Sequence, residues 1–586
     1  MPDHDTLTAL LREWAVVHGD QEAVVFATDP MDATADQCVT YAELDRTARR
    51  VAALLQLHAD PGDRVLLLSE PGLGFVFAFL GCVYAGMIAV PAPPPGGHRS
   101  HRARLAGIAR DAGVTVALAE RAGLDAVQEW AHDSRLETMA CLAADGALPP
   151  AEQWADPGTI NAETLVFLQY TSGSTGDPKG VMVDHGNIRE HTELFRRLTG
   201  ATSRTRFGGW LPTFHDFGLI GLLLFPLCLG ATTVLMSPLA FVKRPYAWLR
   251  LLDRHRVNFT GGPNFAFDLC VRGVTEAQAS GLDLSSVTHV LNGSEPIRAA
   301  TQHAFIERFR SHGLDPAAML PAYGLAEATL AVTCTDPGRG MVTTGVDAVQ
   351  LALGLFVPAR PVAGAQEHTR LLVSSGTARD EVVVVDPVKG EILPDGRIGE
   401  IWVRGPQVAR GYWNRPDATR AVFGATSDRG HGGYLRTGDL GTIHEGQLYV
   451  TGRIKEVLIV HGQNLYPQDL EATVRAAHPA LARGAGAVFT VPTPDEEIVI
   501  VQECRAHALV DMTPSGLAAE IRGAIRRDFG VAVGGVVLVR PSQVRRTTSG
   551  KIQRGLTRDL FTKDQLTALH EDLTPAVRAR YRDSAT

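Results

Sequence analysis

The stretch Tyr170–Gly180, with the sequence YTSGSTGDPKG, carries the residue types that bind phosphate. Its glycines allow positive φ and a close approach of the backbone, and its hydroxyls add hydrogen-bond donors. Lys179 adds a positive charge, and a charge pair at ~4 Å contributes ~4 kcal/mol at an effective dielectric of ~20. The apolar run Thr164–Gln169 before it is typical of a strand. We therefore predict a phosphate loop formed by Thr171, Ser172, Gly173, Ser174, Thr175, Gly176 and Lys179.

This loop differs from a Walker A sequence, in which the lysine follows a glycine and precedes a serine or threonine. Here Pro178 precedes Lys179 and Gly180 follows it. A polar turn after a strand is the alternative interpretation, and it suits short Ser/Gly loops in general. The full string of glycines, hydroxyls and a lysine favours phosphate binding.

The elements around this loop alternate between strand-like apolar runs and helical patterns. Arg64–Leu68, Thr115–Leu118 and Thr288–Leu291 are typical of buried strands, and Thr40–Leu57 has apolar residues at helical spacing. This alternation predicts an α/β fold in which helices cover parallel sheets. Because hydrophobic cores stop growing beyond roughly 250–300 residues, we expect a chain of 586 residues to form at least two domains.

The pattern changes twice toward the C-terminus. From Val382 to Tyr449 short strands alternate with turns, which predicts a β-rich subdomain over about 371–452. A boundary at Gly452–Lys455 separates an N-terminal domain, 1–452, from a small α+β C-terminal domain, 453–586. We expect the charged tail after Leu573 to be partly disordered. The elements predicted in the small domain are strands over Val457–Val460, Ala487–Val491, Ile498–Glu503 and Val536–Val539, and helices over Pro467–Ala477 and Pro514–Phe529.

The segment Phe217–Phe241 has no charged residue and is long enough to span a bilayer. Pro226, Gly230 and Pro238 interrupt it, and Thr232–Met236 within it is typical of a strand. We therefore predict a buried helix that ends near Gly230, a turn and a core strand, rather than a transmembrane segment.

The composition argues against some classes of protein and location. The chain has 56 basic and 64 acidic residues, a net charge of −8, which argues against general nucleic-acid binding. The seven cysteines form no CxxC pair, which is typical of a protein of the reducing cytoplasm without a disulfide framework. No basic stretch precedes an apolar one at the N-terminus, so we expect no signal peptide.

The phosphate loop resembles that of the adenylate-forming superfamily, which holds acyl-CoA synthetases, nonribosomal adenylation domains and luciferases. Further motifs resemble those of this family and follow in the family's order across almost the whole chain, which makes the resemblance specific. It implies ATP-dependent activation of a carboxylic acid as its acyl-adenylate. The motifs are Trp210–Gly221 (WLPTFHDFGLIG), Asn292–Pro296 (NGSEP), Pro321–Thr329 (PAYGLAEAT), Tyr434–Gly441 (YLRTGDLG), Gly452–Glu471 (GRIKEVLIVHGQNLYPQDLE) and Arg546–Arg554 (RTTSGKIQR).

The resemblance implies a nucleotide site. Tyr323 would stack against adenine, and Asp439 would accept both ribose hydroxyls through its two carboxylate oxygens. Arg453 would help to hold the ribose. A core aromatic residue and a turn aspartate are the alternative interpretations of Tyr323 and Asp439. The other implied nucleotide-binding residues are Gly293, Ser294, Glu295, Pro296 and Gly324.

Glu327 matches the family's magnesium ligand, which makes Mg²⁺ the implied cofactor beside ATP. A hard cation that bridges phosphates prefers a carboxylate oxygen. The alternative interpretation is a solvated glutamate at the start of a helix. We expect no other metal site, because the sequence has no HExxH pattern and no paired Cys/His cluster.

Lys551 matches the family's catalytic lysine. Its ammonium would bridge the substrate carboxylate and the α-phosphate, where charge builds up in the transition state, and loss of one such donor typically costs ~10²–10³ in rate. Because Lys551 lies in the small domain, that domain must be mobile and close over the site, with Lys455 matching the hinge. An ordinary exposed lysine is the alternative interpretation.

Four residues are implied on the acid-binding side. His215 and Asp216 would lie near the acyl carboxylate, with His215 as a gate or orienting donor, although a lone histidine is as often structural. Asn264 and Phe265 belong to GPNFAF, Gly262–Phe267, a stretch that resembles the fatty acyl-AMP ligase branch of the family. The apolar runs Leu219–Leu229 and Phe265–Leu269 either wall an acyl tunnel or are ordinary core.

Two features resemble the fatty acyl-AMP ligase branch of this family. One is the wording of the Trp210–Gly221 and Gly452–Glu471 motifs. The other is the long stretch Ala331–Arg370, where that branch carries an insertion thought to hamper the rearrangement needed for coenzyme A thioester formation. The resemblance implies activation of a medium- or long-chain fatty acid to acyl-AMP and transfer to the phosphopantetheine thiol of an acyl carrier protein, in a polyketide or lipopeptide pathway.

We expect that carrier protein to be a separate chain, since no carrier domain follows the small domain. A coenzyme A ligase that uses the same first step remains an alternative. A non-catalytic nucleotide-binding protein is an alternative of another class, and the presence of Lys551, Glu327 and Asp439 argues against it.

Overall fold

The computed structural model describes residues 4–96, 99–171, 178–359, 369–460, 463–493, 495–505, 512–547 and 550–583. Over these ranges the chain forms two large sheets, a β-rich region and a C-terminal α+β unit, which we call the C-terminal unit (Leu458–Tyr581). The α/β class predicted from the alternation of strands and helices is confirmed.

The larger sheet has eight strands and is parallel except at its two edges. Its middle strands are buried on both faces, which explains why they are continuous apolar runs in the sequence. In spatial order the strands are Ala331–Cys334, Met319–Gly324, His289–Asn292, Phe259–Gly262, Arg206–Gly209, Thr232–Met236, Glu22–Ala27 and Asp36–Thr40.

The second sheet has six strands and ends in the hairpin that encloses the predicted phosphate loop. The strands before this hairpin run parallel to one another. In spatial order the six strands are Ala140–Ala143, Val116–Ala119, Arg64–Leu67, Ile88–Pro91, Leu165–Thr171 and Lys179–Asp184.

Helices connect and cover these strands, as amphipathic crossovers in parallel sheets must. Tyr41–Gln56 shows how the sequence specifies one of them. Thr40 and Glu43 form a capping box at its start, and Leu44, Ala48, Val51 and Leu55 form its buried face. The helices before the C-terminal unit are Leu7–Val17, Tyr41–Gln56, Leu73–Tyr84, Arg99–Ala112, Leu124–Asp133, His185–Thr199, Phe225–Leu229, Pro238–Lys243, Tyr246–Arg254, Asn264–Gly273, Glu276–Ala279, Ala299–Phe309, Ala348–Ala352 and Pro416–Val422.

The uncharged segment after residue 216 forms the buried helix, turn and strand that its sequence predicts. A π-helix, Phe217–Leu224, continues into the α-helix Phe225–Leu229, Gly230 closes it with φ of 69°, and Thr232–Met236 is a central strand. In the described part of the chain, no helix has both the length and the apolar character needed to cross a membrane.

The β-rich region is an antiparallel sheet of four strands, with a separate two-stranded hairpin beside it. Both lie within or next to the predicted subdomain. The four strands are Val382–Val385, Gly399–Val403, Leu435–His444 and Gln447–Arg453, and the hairpin strands are Thr343–Asp347 and Thr369–Val373.

The C-terminal unit contains a four-stranded sheet with a separate apolar core on each face, and a two-stranded sheet formed by its first two strands. The helices Pro467–Ala477 and Pro514–Phe529 have the bounds predicted from the sequence. The other elements are the strands Leu458–Val460, Gln463–Leu465, Gly486–Thr493, Asp495–Glu503, Gly535–Val539 and Ala568–Leu573, and the helices Arg554–Thr562 and Pro575–Tyr581.

The expectation of a disordered tail is wrong for the residues just after Leu573. Thr574 accepts a hydrogen bond from the N–H of Val577, Pro575 occupies the first helical position, and the helix runs to Tyr581. Val577 is fully buried against the sheet. The buried side chain of Val577 and the N-cap at Thr574 therefore order a segment whose charged residues had suggested disorder.

Candidate active site

A cavity lies where strands of the two large sheets end. Pro91 and Tyr170 come from the carboxyl ends of two strands of the six-stranded sheet, and His215 follows the strand Arg206–Gly209 of the eight-stranded sheet. Ligands of α/β proteins bind at this edge of the strands. The other lining residues are Ala92, Pro93, His101, Arg104, Leu105, Ile108 and Phe214.

The two ends of the predicted phosphate loop lie beside this cavity. Thr171, the last residue of the first hairpin strand, pairs with Lys179, the first residue of the second. The ammonium of Lys179 lies 5.0 Å from the ring centroid of Tyr412. The loop residues Ser172, Gly173, Ser174, Thr175 and Gly176 lie outside the described residues.

Asp439 is a buried carboxylate held from two sides. Its Oδ2 accepts a hydrogen bond of 2.8 Å from the hydroxyl of Tyr323, and the Nε of Arg453 lies 2.9 Å from its Oδ1. The adjacent Asp439 carboxylate raises the pKa of Arg453, and burial, reinforced by that carboxylate, raises the pKa of Tyr323 well above its usual range. Each carboxylate oxygen keeps a further lone pair, which is what two ribose hydroxyls require. The structure thus brings the three predicted adenosine residues together.

The segment Gly293–Pro296 follows the strand His289–Asn292 and lies next to the strand that carries Tyr323. Ser294 has φ of 70°, and Pro296 is exposed. The Oε1 of Glu295 accepts a hydrogen bond of 2.6 Å from the N–H of Phe265, and burial raises the pKa of Glu295. The Glu295 side chain therefore caps the helix Asn264–Gly273, which leaves the backbone of this segment for contact with a base.

Asn264 is buried and its side chain is used within the fold. Its Oδ1 accepts hydrogen bonds from the N–H of Arg298, at 3.0 Å, and from the amide of Asn292, at 3.4 Å. Its Nδ2 donates to Thr301 Oγ1 at 3.2 Å. Asn264 therefore braces the Asn292–Pro296 segment, in contrast to the substrate-facing position predicted for it.

Phe265, by contrast, faces the lysine-bearing loop of the C-terminal unit. A Cβ atom added to Gly550 would lie 3.1 Å from Cε1 of Phe265, so the glycine lets the loop rest directly on the ring. The other side of Phe265 contacts the indole of Trp210, edge to face, with ring centroids 5.9 Å apart.

Lys551 reaches the site from the C-terminal unit, as predicted. Its N–H donates to Thr547 Oγ1 at 3.1 Å and its carbonyl accepts from the Thr547 N–H at 2.8 Å, which closes the turn that presents its side chain. Burial lowers the pKa of Lys551, and the carboxylates of Asp216, Glu295 and Asp439 oppose that shift. One cation from the small unit thus lies among carboxylates from three separate motifs.

His215 and Asp216 lie together at the start of the buried π-helix. His215 Nδ1 is 3.6 Å from Asp216 Oδ1, and the same oxygen accepts a 2.7 Å hydrogen bond from the N–H of Phe217. Burial opposes ionisation of Asp216, but His215 and Lys551 outweigh it and hold the pKa of Asp216 below its usual range. Asp216 is therefore a charged group that contacts His215 and acts electrostatically on Lys551.

Glu327 lies half-buried in the short helical turn Ala326–Ala328. The hydroxyl of Tyr412 donates a 2.7 Å hydrogen bond to its Oε1, which leaves Oε2 for a cation. Among the residues that the structure describes, no cluster of three or more acidic, histidine or cysteine side chains exists that would hold a metal unaided. Mg²⁺ in nucleotide sites needs only one or two carboxylates beside phosphate oxygens and water, so Glu327 fits that role.

Two further predictions concern the hinge and the acyl tunnel. Lys455 is exposed and lies in the turn between Gln447–Arg453 and Leu458–Val460, the place expected of a hinge. Leu219–Leu229 is buried throughout in the main core, which favours the core-packing interpretation of that run.

The sequence analysis missed the segment Gln407–Tyr412. Its backbone and side chains contact both the Glu327 turn and the strand that leaves the phosphate loop. The sequence did contain a signal for this segment, namely two glycines, Gly405 just before it and Gly411 within it. Their φ angles are 144° and 131°.

Comparisons with known proteins show the family of this chain. Residues 11–413 match the family model described as AMP-binding enzyme, and residues 455–571 match the model "Disco-interacting protein 2-like, AMP domain". The chain is 39% identical over 538 residues to the medium-chain-fatty-acid–acyl-carrier-protein ligase JamA of Moorena producens, with 90% of each chain covered.

A second relative acts on a different kind of acid. The 4-hydroxyphenylalkanoate adenylyltransferase of Mycobacterium tuberculosis is 35% identical over 587 residues, covering 96% of this chain and 93% of its own. Among solved structures, the fatty acyl-adenylate ligase of L. pneumophila in complex with acyl adenylate and pyrophosphate is 33% identical, with a TM-score of 0.74, and covers 97% of this chain and 98% of its own.

Proposed function

The chain belongs to the AMP-binding enzyme family and to its fatty acyl-AMP ligase branch, and on that premise we propose how its site activates a fatty acid with ATP and passes the acyl group to the thiol of an acyl carrier protein. The observation that carries the proposal is that the turn bearing Lys551 rests at Gly550 on Phe265, with the charges of Asp216, Glu295 and Asp439 acting on the lysine. Such a cation, brought from another unit, suits a reaction in which negative charge builds up between two bound substrates.

Binding of the nucleotide follows from the buried pair of Tyr323 and Asp439. The Asp439 oxygens accept the two ribose hydroxyls, with Arg453 and the Tyr323 hydroxyl fixing the carboxylate. The face of Tyr323 and the backbone of 293–296 enclose the base. The loop Thr171–Lys179 wraps the phosphates with its amides and hydroxyls.

In the first step, a carboxylate oxygen of the acid attacks the α-phosphorus of ATP in line. A new bond forms between that oxygen and the phosphorus, and the bond to the bridging oxygen of pyrophosphate breaks. Lys551 contacts both the carboxylate and the α-phosphate, and it neutralises the charge that grows between them. Asp216 contacts the His215 ring, and its negative charge favours the charged form of Lys551.

Magnesium is the proposed metal cofactor, held by Glu327. When bound it neutralises phosphate charge and assists the departure of pyrophosphate. Tyr412 fixes the Glu327 carboxylate, and Lys179, packed over the ring of Tyr412, keeps the phosphates on the same side.

In the second step, the phosphopantetheine thiol attacks the acyl carbon, a carbon–sulfur bond forms, and AMP leaves with the electrons of the carbon–oxygen bond. The closed arrangement fills the site with the Lys551 loop, so the C-terminal domain, 453–586, must first turn away from the N-terminal domain, 1–452. We assign the turning point to Lys455, in the exposed turn after Arg453.

The acid is proposed to be a medium- or long-chain fatty acid. The relatives that act on fatty acids support this choice, and the 4-hydroxyphenylalkanoate relative supplies the competing class. Coenzyme A is the alternative thiol acceptor.

A direct test mixes the purified chain with ATP, Mg²⁺ and a panel of acids. The panel holds fatty acids of graded length and one 4-hydroxyphenylalkanoate, and mass spectrometry detects acyl-AMP. We expect acyl-AMP from fatty acids of a limited range of lengths. Adenylation of the aromatic acid alone would contradict the proposed fatty acid substrate. Absence of adenylate with every acid would contradict the proposed adenylation reaction.

The acceptor is tested by adding either coenzyme A or a phosphopantetheinylated carrier protein to the same mixture. We expect thioester mainly on the carrier protein. Efficient acyl-CoA formation in the absence of a carrier protein would favour a coenzyme A ligase instead.

A further inference from the structure

Glu327 is held by an unusual turn in the backbone. The short helix Ala326–Ala328 ends at Thr329, which has φ of 65° and ψ of −60°. The N–H of Leu330 donates to the carbonyl of Ala328 at 2.8 Å across Thr329, which makes a γ-turn centred on a β-branched residue. Such a conformation is strained and persists only where the surroundings enforce it, most often at functional sites.

The surroundings that enforce it are visible. Thr329 is fully buried, and its hydroxyl donates a 2.7 Å hydrogen bond to the carbonyl of Gln407. The N–H of Leu325 donates to the carbonyl of Leu330 at 2.8 Å and closes the loop around the turn. A Cβ atom at Gly324 would overlap that same carbonyl oxygen, so only glycine fits there.

Three hydrogen bonds join the Glu327 turn to one segment, Gln407–Tyr412, which we call the bracket. Besides the Thr329 bond, the N–H of Ala409 donates to the Glu327 carbonyl at 2.9 Å and the Tyr412 hydroxyl donates to Glu327 Oε1 at 2.7 Å. Both the backbone and the carboxylate of Glu327 are therefore set by the bracket.

The bracket is itself fixed to the strand that leaves the phosphate loop. The N–H of Met182 donates to the carbonyl of Gly411 at 2.9 Å, and the N–H of Arg410 donates to the carbonyl of Met182 at 3.1 Å. The amide of Asn187, in the helix after that strand, donates to the carbonyls of Pro406 and Val408, each at 3.0 Å. The ammonium of Lys179 lies over the Tyr412 ring.

From this geometry we propose that Tyr412 and Thr329 are positioning residues that fix Glu327 relative to the phosphate loop, so that Oε2 of Glu327 meets a divalent cation on the ATP phosphates. The inference rests on the proposed function, because it takes Glu327 as the metal ligand. Neither residue touches the metal or the substrate. Partners that orient a metal ligand typically account for 10–100-fold in metal affinity, about the size expected here.

The test measures metal binding apart from turnover. Mn²⁺ is titrated, by electron paramagnetic resonance, into the full chain saturated with α,β-methylene ATP, which cannot form an adenylate. We expect Tyr412→Phe and Thr329→Val to weaken Mn²⁺ binding by roughly 10-fold or more, and Thr329→Ser, which keeps the hydroxyl, to bind as the wild type does. In turnover, the Mg²⁺ requirement of the first two variants should rise while their KM for the acid stays unchanged.

Two controls separate positioning from general loss of structure. Tyr84→Phe removes another buried tyrosine hydroxyl that donates to a carboxylate, Asp45 at 3.2 Å, far from the site, and should leave Mn²⁺ binding unchanged. Glu327→Gln removes the proposed metal ligand itself, so its Mn²⁺ binding shows how large the effect is when that ligand is lost. Should Tyr412→Phe misfold, the Thr329→Val and Thr329→Ser pair carries the comparison.

Mn²⁺ binding within twofold of wild type in both Tyr412→Phe and Thr329→Val, with binding lost in Glu327→Gln, would overturn the positioning role alone. Unchanged binding in Glu327→Gln would overturn the metal role and the positioning role together. Failure of the wild type to form acyl-AMP from any acid is a separate result, which concerns the proposed function.

Discussion

Lys551 is a charged side chain that its own unit does not need. The turn Thr547–Lys551 is closed by backbone and hydroxyl hydrogen bonds, and the ammonium takes no part in them. The opposite charges that face it, Asp216, Glu295 and Asp439, all come from the other side of the boundary at 452. The charges that act on Lys551 therefore come from outside its own unit, as the proposed catalytic role requires.

We expect Lys551→Ala to slow acyl-AMP formation by ~10²–10³, because one fixed cation is lost at the developing charge. Pyrophosphate release with a fatty acid substrate measures this, and circular dichroism checks the fold. Lys563→Ala, which removes an exposed lysine from the same unit, is the matched control. Near-normal pyrophosphate release in Lys551→Ala would remove this residue from the mechanism.

Which site residues could be predicted depends on where their partners lie in the sequence. Lys551, Asp439 and Glu327 each belong to a short motif, so the residues that identify them lie next to them in the sequence. Tyr412 and Thr329 have partners 85 and 78 residues away, Glu327 and Gln407, so no local pattern connects them. Asn264 was placed on the substrate side for the same reason, since its hydrogen-bond partners lie in another motif.

At the scale of elements, the helix His185–Thr199 is fixed to its neighbours by two buried histidines. His185 Nδ1 accepts a 3.0 Å hydrogen bond from the N–H of Leu7, and His191 Nε2 accepts one of 2.9 Å from the N–H of Ala331. Both rings must be neutral to accept. Burial lowers the pKa of His185 to about 4 and that of His191 to about 3.

The sign of the resulting pH dependence follows directly. From pH ~6.5 down to about 4 for His185 and about 3 for His191, the unfolded chain binds a proton at the histidine and the native chain does not. The contribution of these histidines to stability is therefore full above pH ~6.5 and is lost as the pH falls. Each histidine contributes a slope of ~1.4 kcal/mol per pH unit in that window.

His191→Gln keeps a side-chain acceptor and cannot titrate, so we expect it to reduce the loss of stability between pH 7 and 5. Urea unfolding at the two pH values measures the change in midpoint. His132→Gln, at an exposed position, should behave as the wild type does. An equal loss of stability in the wild type and His191→Gln would show that His191 does not contribute.

Elements with strong boundaries were predictable, and those defined by their surroundings were not. Pro467–Ala477 and Pro514–Phe529 each begin with proline at the first helical position, and Gly530 closes the second with φ of 69°. The edge strand Ala568–Leu573 was missed because its sequence, ALHEDL, has no apolar alternation and only Leu573 is buried. The π-helix Phe217–Leu224 was not distinguishable from an α-helix because every residue in it is apolar or glycine.

At the scale of the whole molecule, polar contacts join the C-terminal unit to the rest of the described chain. The Nη2 of Arg370 lies 2.5 Å from Asp469 Oδ2, and the Arg370 guanidinium lies over the ring of Tyr466, 5.2 Å from its centroid. The Nη1 of Arg272 donates to the carbonyl of Ala482 at 3.0 Å. Burial raises the pKa of Asp469 to about 6, and Arg370 opposes that rise.

Removal of Arg370 leaves Asp469 half-buried without its nearest cation, which should weaken the closed arrangement. A loss of ~1 kcal/mol would shift the closed-to-open ratio ~5-fold toward the open form. We expect Arg370→Ala to increase the rate of thioester formation relative to adenylate formation, measured by rapid quench of the two half-reactions. Arg379→Ala, at an exposed position of the β-rich region, is the control, and an unchanged ratio in Arg370→Ala would contradict the restraint.

The contact of the lysine loop with Phe265 has one more consequence. Phe265 contacts both Gly550 and the indole of Trp210, so departure of the loop admits water to a ring that packs against a buried fluorophore. Indole emission responds to the polarity around it. A variant that keeps Trp210 and replaces the other six tryptophans would report each opening as a shift in the wavelength of its fluorescence emission, in real time and without any attached dye.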